Sequence, residues 1–301
     1  MNILFRVDSS STIGTGHVMR DLVLAKQYKK SNITFCVQDL SGNINHKIDE
    51  AGYTIEILKN NSLKELDKLI KKQNIDLIVF DHYGIDEKFE RTIKRKNPYI
   101  KILSLDDTYE KHHCDILLNH NINANPKKYK DLVPKNCKLK CGSKYTLLRD
   151  EFYKEKKKKR KKKLKKEKTV FIAMGGADHS NINIKILTVV TKFKGLNINI
   201  VTTTANKNLK ELKKYCKRYK QIKLHINSNK IAKLMIKSNF AIVTPSVTVN
   251  EVYFMKLPFI AIKTADNQKE IYSYLKKNKF LTMAKFDKNR LKLKVKKMFG
   301  K

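Results

Sequence analysis

The sequence predicts an α/β protein of two domains, each a mostly parallel sheet with helices on its faces. Three observations carry that expectation. Short apolar runs of strand length alternate with stretches whose apolar residues recur at helical spacing. One kind of junction, an apolar strand running into a glycine turn and then a helix, occurs after residue 7 and again after residue 173. A dense run of lysines at 154–168 separates the two series. With 301 residues, the chain is long enough for two domains of about 150 residues, each with its own core. The expected division is an N-terminal domain at 1–152, a lysine-rich linker at 153–168 too charged to bury itself, and a C-terminal domain at 169–301. The cleft between two such domains is the expected ligand site.

The elements follow in order. Residues 2–7, Asn-Ile-Leu-Phe-Arg-Val, read as a buried strand that ends at Asp8. A polar loop leads through Ile13-Gly14-Thr15-Gly16-His17-Val18-Met19-Arg20 into a helical pattern. Further strands are expected at 34–37, 54–57, 77–80, 101–105 and 116–118, with helical stretches between several of them. After the lysine run, strands at 169–173, 198–203, 222–225, 240–243 and 259–262 alternate with helices at 181–193, 209–219, 231–238, 249–255 and 268–277. Residues 283–301 are basic and amphipathic and read as a closing helix.

Composition narrows the function. No apolar run approaches the roughly 20 residues that cross a bilayer, and Arg6 and Asp8 interrupt the only apolar stretch near the N-terminus, which excludes a signal peptide there. A cytoplasmic protein without a membrane span is expected. The five cysteines, Cys36, Cys114, Cys137, Cys141 and Cys216, are odd in number and scattered, so disulfides are not expected. His112-His113-Cys114 with Cys137 and Cys141 lacks the paired spacing of a zinc site, and no metal is expected. The formal net charge of +38 would ordinarily suggest nucleic acid. Yet lysines are spread along nearly every helical stretch, and no aromatic-studded basic strand or paired-cysteine finger accompanies them. A basic RNA- or surface-binding protein therefore stands as the alternative of another class, and no nucleic-acid partner is expected.

The chemistry gathers at strand ends. A strand that enters a helix through glycines presents free N–H groups beside a positive helix dipole, where an anion can lodge. His17 stands at that spot, and an imidazole, with an unperturbed pKa of about 6.5, can take a proton at neutral pH. Arg6, Asp8, Gly14, Gly16, His17 and Arg20 bunch around one strand end, the place where open α/β sheets bind ligands. The third glycine of a dinucleotide fingerprint is missing after His17, and no acidic residue ends the strand at 34–37, so no nicotinamide, and no cofactor at all, is expected. Asp81 and Tyr83 follow the strand at 77–80, and Asp107 follows the one at 101–105; these are candidate substrate contacts. In the second domain Gly175 and Gly176 allow close backbone approach to a phosphate, with Asp178 just beyond. Ser246 and Thr248 can cap a helix or donate to a diphosphate, and Glu251 lies one turn on, placed to accept from a ribose. Asn267 and Gln268 sit at a further strand end. His46, His112, His113, His120 and His225 lack a supporting constellation and read as surface or structural.

Taken together, these motifs resemble a known family. Arg6-x-Asp8, Ile13-Gly14-x-Gly16-His17-x-x-Arg20, Asp81-His82-Tyr83-Gly84, Asp106-Asp107, Gly142-x-x-Tyr145-x-x-Leu148-Arg149-x-x-Phe152, Gly175-Gly176-x-Asp178, and Glu251 with Asn267-Gln268 are similar to those of the hydrolase of pseudaminic acid biosynthesis. That family acts on UDP-2,4-diacetamido-2,4,6-trideoxy-β-L-altropyranose and is related in fold to the glycosyltransferase that forms lipid II. The resemblance implies two Rossmann-like domains of the GT-B type facing each other across a cleft, acting as a monomer on a UDP-sugar. It implies release of UDP by water attacking the anomeric carbon with inversion and without a metal. His17 would be the general base, the glycine loops and 246–251 would hold UDP, and Asn267 would contact diphosphate or sugar. A GT-B glycosyltransferase using a UDP-sugar donor is the nearer alternative, since the same base could activate an alcohol.

Overall fold

The structure, a computed structural model, describes residues 1–158, 168–178 and 180–300. The chain divides into two compact units, Met1–Leu147 and Leu148–Lys301.

The first unit runs β1 (Asn2–Val7), α1 (Gly16–Ala25), β2 (Asn32–Val37), α2 (His46–Glu50), β3 (Thr54–Ile57), α3 (Leu63–Lys72), β4 (Leu77–Asp81), α4 (Glu87–Lys96), β5 (Lys101–Leu105), β6 (Ile116–Asn119) and β7 (Lys138–Cys141). Its sheet is ordered β3-β2-β1-β4-β5-β6-β7, and every pairing is parallel. A parallel sheet needs crossovers that cover both faces, so its strands are apolar on both sides. In β1, Ile3, Phe5 and Val7 join one core with Phe35 and Val79, while Leu4 joins the opposite core with Cys36, Ile78 and Phe80. Phe5 stacks on Phe35 with ring centroids 4.8 Å apart. Capping fixes two helix starts: Ser62 accepts from the Glu65 N–H ahead of α3, and Asp86 accepts from the Phe89 N–H ahead of α4.

The second unit runs α5 (Asp150–Lys157), β8 (Lys168–Ala173), α6 (Ile182–Val190), β9 (Leu196–Thr202), α7 (Leu209–Cys216), β10 (Ile222–Ile226), α8 (Ile231–Ile236), β11 (Phe240–Val243), α9 (Val247–Phe254), β12 (Phe259–Ile262), α10 (Lys269–Lys277), β13 (Leu281–Met283) and α11 (Lys288–Phe299). Its sheet, β10-β9-β8-β11-β12-β13, is likewise all parallel. One face packs Val170, Ile172, Ile198, Ile242 and Ile260 against α6 and α11.

Three expectations change. Residues 153–157 are helical, part of α5, and Lys168 already opens β8. Asp150 and Glu151 in the first turn and lysines in the last complement the helix dipole, and buried Phe152 anchors α5. The remainder of the expected linker, 159–167, lies outside the described residues. β7 and β13 were not expected, because edge strands of four and three residues carry too little apolar pattern to read. The closing helix is shorter than 283–301, starting where Asp287 accepts from the Arg290 N–H.

Candidate active site

In an open parallel sheet the loops after two neighbouring strands part company where the strand order reverses, leaving a crevice at the carboxyl ends. In the first unit that point lies between β1 and β4. β1 ends at Asp8 and leads to α1, and β4 ends at Asp81. The loop after β1 is closed on itself: Gly14 N–H donates to Ser10 O at 2.8 Å, and Ser10 Oγ accepts from the Ile13 N–H at 2.9 Å. Gly14 holds φ +88°, a left-handed conformation that favours glycine. No side chain caps α1.

α1 then delivers His17 and Arg20 to Asp81. His17 Nδ1 lies 2.7 Å from Asp81 Oδ1, Arg20 Nε donates to Asp81 Oδ2 at 2.6 Å, and Arg20 Nη2 donates to Asp81 Oδ1. Arg20 Nη1 also reaches Asp107 Oδ2 at 3.2 Å. Burial would push the Asp81 carboxyl up, but Arg20 and His17 outweigh it and hold it well below the usual range. Arg20 Nη2 also stands 3.0 Å from His17 Nδ1. A carboxylate only accepts and a guanidinium only donates, so the two compete over the Nδ1 hydrogen. The carboxylate is nearer. Nδ1 therefore carries the hydrogen and donates to Asp81, which leaves the Nε2 lone pair to accept a proton. The ring keeps 11% of its side-chain surface exposed. Tyr83, 56% exposed, stands edge-on to it with centroids 5.0 Å apart and donates its hydroxyl to Asp107 Oδ1 at 3.0 Å.

Arg6 and Asp8 take a different place from the one expected. Arg6 is fully buried, on the same face of β1 as Leu4, and grips Asp8 with two bonds of 2.7 Å. Asp8 also accepts from the Gln38 N–H at 2.7 Å and meets His82 Nε2 at 3.1 Å. With no surface to offer a ligand, this pair builds the floor of the β1 loop. Sequence reasoning could not separate such a pair from solvent-facing ones, because burial is not local information. It also passed over Asp21, assigned no role to His82 within its motif, and read His120 as surface or structural, of which the structure shows the second. His120, 1% exposed, has burial and the Arg20 charge pressing its pKa down to about 3, so it is neutral. The candidate metal motif is not assembled: His112 turns to Glu90 at 2.9 Å, and among the described residues no group of three His, Cys, Asp or Glu side chains could hold a metal ion.

In the second unit the order reverses between β8 and β11. Gly175 has φ +87°, and a Cβ on Gly176 would come within 2.8 Å of Thr203 Oγ1. Thr202 and Thr203 both donate to Gly176 O at 3.2 Å, so packing against β9 already explains that glycine. Asp178 is buried and seals α6, accepting from the N–H groups of Ile182 at 2.9 Å and Asn183 at 3.4 Å. α9 differs, since among the described residues its N-cap Ser246 makes no side-chain capping bond; Ser246 and Thr248 are half-buried at its start, with Ser246 Oγ 3.0 Å from Thr244 Oγ1. Glu251 follows, with Arg149 Nη2 at 3.4 Å, and burial lifts its carboxyl to about 7. Asn267 is exposed, whereas Gln268 folds back to accept from the Thr264 N–H at 2.8 Å.

Among the described residues no helix is long and apolar enough to cross a membrane. No family model matches the chain. It is 43% identical over 277 residues, 92% of this chain and 97% of the relative, to the UDP-2,4-diacetamido-2,4,6-trideoxy-β-L-altropyranose hydrolase of Campylobacter jejuni. An uncharacterized protein of Methanocaldococcus jannaschii is 31% identical over 286 residues, 92% of this chain and 59% of that protein. Among solved structures, MurG of Acinetobacter baumannii matches with a TM-score of 0.65 at 12% identity, covering 99% of this chain and 90% of that one. The UDP-GlcNAc 2-epimerase of Neisseria meningitidis bound to UDP-GlcNAc matches with a TM-score of 0.64 at 11% identity, covering 100% and 92%. Such identities show the fold alone, and that fold is the two-domain α/β architecture of GT-B glycosyltransferases. The relative from Campylobacter jejuni, matched along nearly its whole length, shows more: this chain belongs to the family of UDP-2,4-diacetamido-2,4,6-trideoxy-β-L-altropyranose hydrolases, which are nucleotide-sugar hydrolases.

Proposed function

We propose that this chain hydrolyses a UDP-linked 2,4-diacetamido-2,4,6-trideoxy sugar to UDP and the free sugar, in pseudaminic acid biosynthesis, with His17 as the general base. The observation that carries the reading is the Asp81–His17 pair, joining the first turn of α1 to the end of β4, in which Asp81 engages Nδ1 of a partly exposed ring and not Nε2. Water held by Nε2 attacks the anomeric carbon from the side opposite the diphosphate, so the configuration inverts. As the C–O bond to UDP breaks, the proton of the attacking water passes to Nε2, and imidazolium forms against the Asp81 carboxylate. UDP is a good leaving group, so a second carboxylate to protonate it is not required. What remains is to position the water and hold the diphosphate. In this reading the uncapped start of α9, with Ser246 and Thr248, receives the diphosphate, and Glu251 accepts from the ribose.

Purified protein incubated with the UDP-sugar in ¹⁸O-labelled water should release UDP and place the label in the sugar, with or without a chelator present. His17→Ala should lower kcat by about 10² to 10⁴. Label in UDP would mean attack at phosphorus, and full activity of the variant would end the assignment.

A further inference from the structure

A second acid lies beneath the His17–Asp81 pair. α1 carries His17, Arg20 and Asp21 at i, i+3 and i+4, so all three project from one side of the helix. Asp21 is 0% exposed, and neither of its carboxyl oxygens has a hydrogen-bond donor among the described residues. Its neighbours on α1 are committed elsewhere, because His17 and Arg20 serve Asp81, and Arg20 extends its remaining nitrogen to Asp107. A carboxylate enclosed with no donor of its own is too costly to keep charged. A proton resolves this. As a neutral acid Asp21 gains an O–H, and the carboxylate held by its α1 neighbours His17 and Arg20, Asp81, adds its charge to burial in raising the Asp21 pKa.

We propose that Asp21 is a neutral carboxylic acid that donates to Asp81 and thereby acts as a positioning residue for His17. The inference rests on the reading of His17 as the base. Its logic is one of charge. Around this point stand Arg20 and Asp81, a matched pair; His120, neutral; Asp107, bound to Arg20 and Tyr83; and His17. If Asp21 were ionised, three carboxylates, Asp21, Asp81 and Asp107, would share one guanidinium, and the imidazole would be drawn towards its cationic form, unable to take a proton from water. With the acid neutral, one negative charge fewer draws a proton onto the imidazole.

The direct measurement is the infrared carbonyl band of a protonated carboxylic acid in D₂O at neutral pH, compared between the wild-type protein and Asp21→Asn. A band lost in that variant, and retained in His17→Ala, is the expected result. Absence of any difference overturns the proposal. Kinetics supply a second arm. Asp21→Asn keeps an N–H donor for Asp81 and should retain at least tenfold more kcat than Asp21→Ala. In Asp21→Ala the undamped Asp81 charge favours imidazolium, so the acidic limb of the kcat/KM profile should move to higher pH. A purely structural residue would lower the amplitude without moving that limb. Because the infrared band does not depend on turnover, a fully active His17→Ala would remove the reading of His17 as the base while leaving the state of Asp21 measured.

Discussion

Replacing Asp81 by Asn tests the reading where it is most exposed. The carboxylate accepts from His17 Nδ1 at 2.7 Å and from Arg20 Nε at 2.6 Å. An amide has one oxygen to offer. If that oxygen turns to Arg20, the amide N–H₂ meets His17 Nδ1, which must then give up its hydrogen; the hydrogen moves to Nε2, where the base is needed. If it turns to His17 instead, the N–H₂ faces the guanidinium, donor against donor. The first arrangement is the cheaper one, and it fixes the inactive tautomer. The same change beneath the histidine of a serine-protease triad lowers kcat by about 10⁴, which corresponds to about 5 kcal/mol of lost transition-state stabilisation. Stability falls too, because Arg20 is 5% exposed and loses its charge partner. Breaking a buried pair costs about 3–5 kcal/mol, and Asp107 at 3.2 Å keeps the cost near about 3. A domain stable by about 5–15 kcal/mol stays folded through that. The assay is therefore UDP release by the variant at a temperature where circular dichroism shows it folded. Retention of kcat within about threefold of wild type would refute the pairing of Asp81 with the base.

Three further outcomes follow from the geometry. Burial would lower His112, but the Asp106 carboxylate, 4.0 Å from Nε2, and the hydrogen bond with Glu90 outweigh it and raise its pKa to about 10. That stabilisation is complete below about pH 6.5 and lost as pH rises through 10, an upper bound of about 4–5 kcal/mol. Urea midpoints measured from pH 6 to 10 should fall more steeply for wild type than for His112→Gln. Cys114 and Cys137 place their sulfurs 3.7 Å apart, against about 2.0 Å in a disulfide, and both are reduced. Dilute hydrogen peroxide should join them, giving two waters per pair of peroxide-derived oxygens; peptide mapping should find a 114–137 bridge, absent in Cys137→Ser. Gly14→Ala places a side chain at φ +88° with nothing within 4 Å of the new Cβ, so only backbone strain opposes it. It should cost about 1–2 kcal/mol, read as a lower denaturation midpoint.

Much of this fold was legible because parallel strands buried on both faces leave unbroken apolar runs. Residues 2–7, 77–80 and 240–243 announce β1, β4 and β11 in that way. The glycines and polar residues after them marked the strand ends where the structure gathers His17, Arg20, Asp81, Tyr83 and Asp107. What the pattern could not convey was depth. Arg6 sits in a strand among apolar residues, and nothing local tells a buried arginine with a carboxylate partner from one reaching for a substrate. Asp21, an acid within a helix, would ordinarily be read as solvated; its enclosure depends on β4 lying beside β1, a fact of topology. Glu90 and His112 meet across 22 positions of sequence for the same reason.

The two units answer one structural problem in different ways. Each reverses its strand order once, and at each reversal two helix starts become candidates for a ligand. In the second unit Asp178 fills the start of α6 with its own carboxylate, whereas the Ser246 side chain at the start of α9 makes no capping hydrogen bond. Under the proposed function a dianionic diphosphate would be repelled by the first and held by the second, so Gly175 and Gly176 would shape a turn while Ser246 and Thr248 would stand beside the anion. In the first unit the uncapped helix is α1, yet its first turn carries an imidazole tied to a buried carboxylate and guanidinium. That arrangement suits a proton better than a phosphate. Under the proposed function α9 would hold the diphosphate and His17 would act as the base, the two tasks that hydrolysis of a nucleotide sugar sets.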